Sequence, residues 1–369
     1  MSNAELITTS RELEQAVGRL LHADAVAVDT EFFWERTFYP ILGLVQLATA
    51  EESWLIDAVS IGDIRALGPV LSSPAITKVL HDAPQDLGIL ARATGTMPRT
   101  LFDTRLAAGF AGLTSTCSLQ ALLRDIFGIE LSKAETRSNW LRRPLSANQL
   151  RYAAEDVLYL LKARETLLSR CASGTVRGWL AEDLAGLDDP AIYRDRDPRL
   201  MYLRVKGSSR LDARQLAVLR ELAAWRENEA RARDWPRAHV LDDSLLVTLA
   251  VRAPADQMTF GNIQGMPRGM PGTVVADALA AMARGLAVPD GECPHPSDDD
   301  LNSRRALKSK SDKLLAHIAV ACAAHAIDPA LVASRADADS YVQWLAKGTV
   351  AGHPLAKGWR QSFVAGFTP

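Results

Sequence analysis

Cysteine is scarce in this chain. Only Cys117, Cys171, Cys293 and Cys322 occur, scattered singly and without a C-x-x-C pair. Neither a disulfide framework nor a structural zinc site is expected from that usage. The loose Cys293-Pro294-His295 has no partners and reads as loop. Long apolar runs are also missing, since no stretch reaches the ~18 residues of a membrane span. The opening MSNAELITTSRELEQ carries neither a basic segment nor an apolar one, so no secretory signal is expected. Positive charge is not in excess, with 42 Lys and Arg against 44 Asp and Glu. That argues against a surface coated in basic residues for indiscriminate nucleic-acid binding, while a local basic groove stays open. The expectation is a reduced, cytoplasmic protein with no membrane partner and no protein partner evident.

What is present is ordinary globular material: 369 residues, 48% hydrophobic and 23% charged. At roughly 150 residues per domain this suggests two or three domains. The first half changes period often. AVAVDTEF (25–32), GLVQLAT (43–49) and SWLID (53–57) are strand-like runs, with a turn region near Tyr39-Pro40, and suggest an antiparallel three-strand start. TKVLH (77–81) and Leu101-Phe102-Asp103 read as further strands. Helical patterns fall at 62–72, from Pro84 to Ala93, at 104–111 and at 118–128. A long helix is expected from Ala147 to Cys171, with Ser146 as N-cap. Strands first and alternating strand and helix later indicate an α/β domain with a mixed sheet. The charged, Pro- and Gly-containing stretch 186–208 reads as linker. After it the strand signals vanish. Helical patterns follow at 212–232, 243–251, 257–264 and 273–287, then a loop at 288–300 and a last helical stretch.

Three short segments carry candidate chemistry. Asp29 and Glu31 are two apart on a strand and so share a face. Side-by-side carboxylates on an apolar strand repel and are costly to bury unless a cation joins them. Asp86 falls in the first turn of a helix, where an acid can simply complement the dipole. Tyr152 and Asp156 are four apart on the long helix, hence one turn apart on one face. Taken singly, each has a bland explanation. Taken together, four carboxylates from three segments of one α/β domain make an all-oxygen set suited to Mg²⁺ or Mn²⁺. Two such ions about 4 Å apart can stabilise the attacking and leaving oxygens of a phosphodiester. A nearby tyrosine hydroxyl can orient the attacking water.

The order D-x-E, then a strand-to-helix Asp, then Y-x-x-x-D resembles the tyrosine-type DEDD 3′–5′ exonucleases, and among them the ribonuclease D family. The matching runs are VDTEF (28–32), KVLHDAPQDLGIL (78–90), FDTRLAA (102–108) and ETRSNWLRRPLSANQLRYAAEDVLYLL (135–161). The resemblance implies an α/β ribonuclease-H-like exonuclease domain with a mixed sheet. It implies a hydrolase that removes nucleoside 5′-monophosphates from RNA 3′ ends, tRNA precursors among them. By position, Asp29, Glu31, Asp86 and Asp156 match the metal-binding acids of a two-ion site, and Tyr152 matches the residue that positions the water. Asn139 departs from the family, which often has Asp before the Trp, and lies outside the metal set. LDARQLAVLRELAAWRENEARARDWPRAHVLDDSLLVTLA (211–250) and Ile263-Gln264-Gly265-Met266 resemble a helicase-and-RNase-D C-terminal (HRDC) domain. DPALVASR (328–335) and GWRQSFVAG (358–366) resemble a second one more distantly.

The domain plan is therefore an exonuclease domain at 1–175, a linker at 176–207, an all-α HRDC domain at 208–290 and a divergent HRDC-like domain at 300–369. Deleting 208–369 is expected to weaken RNA binding far more than cleavage. Substrate contacts are sought at Phe32, by base stacking with packing beneath the strand as the equal alternative, and at His81, for which a structural role is the favoured reading. Arg137, Arg142 and Arg143 lie in a basic patch with Lys133 and Arg151, suited to backbone phosphates. Arg304, Arg305, Lys308, Lys310 and Lys313 form a second basic cluster, equally readable as an exposed helix face. Two rival readings remain: a 3′–5′ exonuclease acting on DNA, and a nucleic-acid-binding protein with a dead nuclease site. The second would show a lost carboxylate or tyrosine, and all five positions are intact.

Overall fold

The apolar runs of the first half assemble into one six-stranded sheet. Its strands are β1 (Glu5–Ile7), β2 (Ala25–Phe33), β3 (Ile41–Ala48), β4 (Ser53–Asp57), β5 (Thr77–Leu80) and β6 (Leu101–Asp103), in the order β1-β4-β3-β2-β5-β6. β2, β3 and β4 pair antiparallel, while β1–β4, β2–β5 and β5–β6 pair parallel. The sheet is thus mixed, as the sequence suggests. Val26, Ala27 and Val28 are buried at its centre, which explains why β2 reads as a continuous apolar run rather than an alternating one. This computed structural model describes residues 4–131, 135, 137–171, 173–295, 301–348 and 350–368, with residues 301–304 described by their helix alone. Among them no helix is long and apolar enough to cross a membrane, and the four cysteines are free thiols.

The chain divides into two units. Unit one contains residues 1–33, 41–194 and 305–369, and unit two contains 34–40 and 195–304. In unit one the sheet is accompanied by α1 (Ser10–Leu20), α2 (Pro84–Thr94), α3 (Thr104–Phe110), α4 (Leu119–Phe127), α5 (Ala147–Leu158), α6 (Leu160–Arg170) and α7 (Gly174–Leu187). β1, α1 and α7 are absent from the sequence reading. β1 is too short to show a period. α1 does carry a start signal, since Thr9 and Glu12 cap one another reciprocally.

The single helix expected over 147–171 is two helices. The chain turns at Tyr159, with φ −107° and ψ −5°. α5 buries Tyr152 and Ala153 in one small cluster, while Val157 at its end and Leu160 and Leu167 of α6 enter a different core. No Gly or Pro marks the break, so the apolar period runs straight through it. Ser146 caps α5 as expected, in a reciprocal box with Gln149.

Residues 305–369 do not form a core of their own. Leu314, Ile318, Cys322, Leu331, Trp359 and Phe363 share one hydrophobic cluster with Phe110, Leu122, Leu160 and Leu180. Trp359 stacks on Trp179 with centroids 5.5 Å apart. Its Nε1 donates to Asp183 at 2.8 Å, and Arg360 donates to both oxygens of that carboxylate. The Asp328 carboxylate accepts from the Ser115 N–H at 2.6 Å. Truncation at 208 would therefore strip one wall from the nuclease core, so it is not the clean removal of a binding module that the sequence suggests.

Unit two is a helical bundle of α8 (Ala213–Arg233), α9 (Asp243–Arg252) and α10 (Gly272–Leu286), with short helical turns between them. Leu219, Leu222, Leu246, Leu249, Phe260, Ala278 and Met282 fill its core. At Gly285 an added Cβ would lie 2.4 Å from the Cα of Val218, so α8 and α10 meet backbone to backbone there. Phe38, from the segment joining β2 and β3, is buried in this core beneath the Arg237 guanidinium, 4.5 Å from its ring centroid. The Phe38 and Tyr39 N–H groups both donate to Asp234 at 3.0 Å.

Because Trp359 is shared between the tail and α7, Trp359→Ala should destabilise unit one by about 3–5 kcal/mol. Urea unfolding monitored by circular dichroism would measure this. A loss below about 1 kcal/mol would mean that the tail merely rests on the nuclease core.

Candidate active site

β2 lies between β3 and β5, with α5 packed across β2, β3 and β4. Leu44, Leu55, Trp140, Tyr152 and Ala153 form the small cluster that seats α5. Ala153 is fully buried, which lets the helix approach the strands closely. Gly43 serves the same end, since a Cβ there would lie 2.6 Å from the Trp140 carbonyl oxygen. The β2–β3 register slips between Glu31 and Phe32, an irregularity of the kind that re-aims side chains.

This arrangement brings three of the sequence-derived acids together. One carboxylate oxygen each from Asp29, Glu31 and Asp156 lies within 4.8 Å of the others. Asp86 stands outside that triad, yet its charge reaches both Asp29 and Glu31. It occupies the first turn of α2 and accepts a hydrogen bond from the Thr30 hydroxyl, which ties α2 to β2 between the two acids of D-x-E. Tyr152 hydrogen-bonds Asp156 one turn along α5.

The electrostatics are set by burial and by the acids' charges on one another. Burial, then the charges of Asp86, Asp156 and Glu31, push Asp29 well above the usual carboxylate range. Burial, then Asp156 and Asp86, push Glu31 to about 9. Burial raises Asp156 to about 7, reinforced by Glu155 and opposed by the Tyr152 hydrogen bond. Burial raises Asp86 to about 6, with the Thr30 hydroxyl opposing. Among the described residues no Lys, Arg or His forms an ion pair with any of the four. A cluster that repels itself, has no cationic side chain paired with it among the described residues and offers only oxygens has the donor chemistry of a hard divalent ion.

Two sequence candidates for substrate contact are consumed by the fold. His81 uses both ring nitrogens, Nδ1 with the Thr104 hydroxyl and Nε2 with the Cys117 carbonyl, each at 3.0 Å. Burial lowers its pKa. Its structural reading is therefore the one its geometry matches. Arg143 spends all five N–H donors internally: Nε and one Nη2 proton on Asp57 at 2.6 Å each, and the others on the carbonyls of Gly43, Trp140 and Arg142. Burial works to raise the Asp57 carboxyl, but the bonds from Arg143 and Ser60 outweigh it and hold it below the usual range. Arg143 thus clamps the loop before α5 to β3 and β4 and has no donor left for phosphate. Arg137, Arg142 and Arg151 are exposed, and Phe32 is half-buried at the register slip. Arg305, Lys308, Lys310 and Lys313 line an exposed helix surface. Lys133 and the Arg304 side chain lie outside the described residues.

One positioning residue escaped the sequence reading. Asp103 is buried at the end of β6, and its carboxylate accepts from the N–H groups of Asp82, Ala83, Arg105 and Leu106. A single side chain therefore caps α3 and holds the chain entering α2, the helix that presents Asp86. The visible signal was the Asp-Thr that leads from strand to helix, an N-cap pattern.

Fold and site together define a 3′–5′ exonuclease domain followed by an HRDC domain: a family model described as 3′–5′ exonuclease matches residues 4–171, and an HRDC domain model matches 215–270. Over its whole length the chain is 39% identical to ribonuclease D of Desulfotalea psychrophila, covering 98% of that protein. It is 41% identical to ribonuclease D of Pseudomonas paraeruginosa over 75% of this chain and 73% of that one. The crystal structure of Escherichia coli RNase D superposes with a TM-score of 0.82 at 29% identity, covering 98% of this chain and 96% of the other. The chain belongs to the ribonuclease D family and is a 3′–5′ exoribonuclease, a hydrolase of the divalent-metal-dependent DEDD group.

The charge cluster makes stability depend on pH in a fixed direction. Carboxyls whose folded pKa is raised hold protons that the unfolded chain releases, so their contribution is full below the ordinary carboxyl range and is lost as pH climbs toward about 9. In chelator, the Tm of unit one should therefore fall as pH rises from the ordinary carboxyl value of 4.5 toward about 9. Glu31→Gln should flatten much of that slope. Calorimetry showing a flat wild-type profile in chelator would contradict the repulsion described here.

Proposed function

We propose that Asp29, Glu31, Asp86 and Asp156 hold two divalent cations, Mg²⁺ or Mn²⁺, and that Tyr152 positions the attacking water. The observation that carries this reading is the partly buried triad of acids within 4.8 Å, which has no cationic partner among the described residues. When bound, the ions would supply Lewis-acid activation of water and neutralisation of the scissile phosphate. The chain's own residues do the rest. Asp29 and Glu31 project from β2, whose pairing with β3 sets their backbone before substrate arrives. Asp156 is oriented by its hydrogen bond with Tyr152, and Asp86 by the Thr30 hydroxyl. Water attacks the terminal phosphorus, the P–O3′ bond breaks, and the products are a nucleoside 5′-monophosphate and an RNA shorter by one residue with a free 3′-hydroxyl.

The substrates we infer are RNA 3′ ends in the cytoplasm, tRNA precursors among them. The E. coli relative is described as an exoribonuclease involved in structured RNA processing. Residues 208–290 serve as the HRDC module, which would raise the local concentration of RNA at the nuclease site. The exposed Arg137 and Arg142, and Phe32 at the register slip, are the residues we place on the substrate path.

A 5′-labelled RNA with a short unpaired 3′ tail tests the reading. With Mg²⁺ or Mn²⁺ it should shorten stepwise from the 3′ end, and chelator or Asp29→Asn should stop it. A ladder that persists in Asp29→Asn would overturn the assignment. Asp156→Ala should cost about 10²–10³-fold or more in rate, by analogy with loss of other electrostatic stabilisers. Tyr152→Phe should cost less, because the water keeps its other contacts. Matched DNA run alongside tests the polymer preference.

The arginines separate by readout. Arg142→Ala should weaken RNA binding and leave the melting curve unchanged. Arg143→Ala should destabilise the fold by about 3–5 kcal/mol, since it strands the buried Asp57 carboxylate. An Arg143→Ala protein that melts normally but binds RNA poorly would restore Arg143 to the substrate path.

A further inference from the structure

Unit two exposes a large aromatic where a soluble bundle has little reason to. Trp235, in the turn after α8, keeps 45% of its surface in solvent. It borders a cavity of about 210 Å³ whose other walls include His239, Arg268, Met270, Pro271 and Val274. This is smaller than the ~300 Å³ at which pockets for drug-sized ligands begin, and suits a single planar ring system. The Arg233 guanidinium lies 5.1 Å from the indole centroid and is itself held by Glu229.

The turn is braced from both sides. The Trp235 N–H donates to the Ala230 carbonyl at 2.9 Å. Asp234 takes a left-handed conformation at φ 50° while its carboxylate holds the N–H groups of Phe38 and Tyr39. The indole is thus presented by a fixed backbone, which lowers the ordering cost of anything that stacks on it. At the cavity, Arg268 and His239 are exposed, and among the described residues neither side chain has a hydrogen-bonding or ionic partner. An aromatic platform beside an uncommitted guanidinium and imidazole is the combination that binds an unpaired base together with its phosphate.

We propose that this cavity binds one unpaired nucleobase of RNA, stacked on Trp235, with Arg268 and His239 facing the adjoining phosphates. The assignment rests on the exoribonuclease reading above and adds to it a base-holding point on the HRDC unit.

The test uses the full chain in an Asp29→Asn background, with a short single-stranded RNA followed by fluorescence anisotropy. Trp235→Ala should weaken binding by about 5- to 100-fold, the worth of one base–aromatic stack, and Trp235→Phe should restore most of it. A scan of single abasic substitutions should find one position that weakens the Asp29→Asn protein and costs nothing further once Trp235→Ala is present. An unchanged Kd for Trp235→Ala overturns the cavity assignment, as does a loss that simply adds to every abasic substitution. Active-site failure reads differently: if the wild-type chain neither binds nor shortens RNA, the exoribonuclease reading itself falls. If it does both while Trp235→Ala matches its parent, only the base-holding point is lost.

Discussion

The repulsion between carboxylates forced together under α5 is the constraint to which the rest of unit one answers. Three acid oxygens within 4.8 Å of one another, in a partly buried place, would drift apart if their supports allowed it. The supports do not allow it, because each is over-determined. Asp29 and Glu31 sit on β2, paired there with Gln46 and Leu44 of β3. α5 is pinned by Ala153 and Tyr152 against β3 and β4, and its approach is fixed by the Arg143 clamp on Asp57 and Gly43. α2 is held at its start by Asp103 and at Asp86 by Thr30. The stability withheld from the acids is supplied by hydrogen bonds and packing some residues away, and the outcome is a preorganised cluster of carboxyl oxygens.

The chemistry was legible in the sequence and its scaffolding was not. D-x-E and Y-x-x-x-D each lie within one regular element, so a period of two or of 3.6 places their side chains without any knowledge of the fold. Asp103 and Arg143 lie in loops and at element ends, where the role of a side chain is set by which distant backbone it meets. Arg143 stands in a basic run, and nothing local distinguishes it from the exposed Arg142 beside it. Its difference arises only when β3 and β4 bring Gly43 and Asp57 to it.

The same distinction explains the tail. Leu314, Ile318 and Cys322 repeat at four-residue spacing and announce a helix with one apolar face. They do not announce what covers that face, and the sequence reading supplied a separate module. The structure covers it with Phe110, Leu122 and Leu180 instead. Connectivity follows the same lesson. One linker was expected between nuclease and helical parts, whereas the chain passes between the two units at 33/34, 40/41, 194/195 and 304/305. The first two crossings flank the segment that contributes Phe38 to the core of unit two.

Charge placement within unit two bears on how such a module can hold a polyanion. Many of its arginines are committed internally. Arg226 binds Asp243, Arg231 and Arg237 share the buried Glu227, Arg199 and Arg284 share Glu221, and Arg214 binds Asp290. A side chain neutralised by a neighbouring carboxylate releases few counterions when a phosphate approaches, so it adds little to affinity through the electrostatic term that dominates on basic surfaces. With that term reduced, the binding proposed for this unit would depend more on its uncommitted basic side chains and on contacts insensitive to salt, such as aromatic stacking on Trp235.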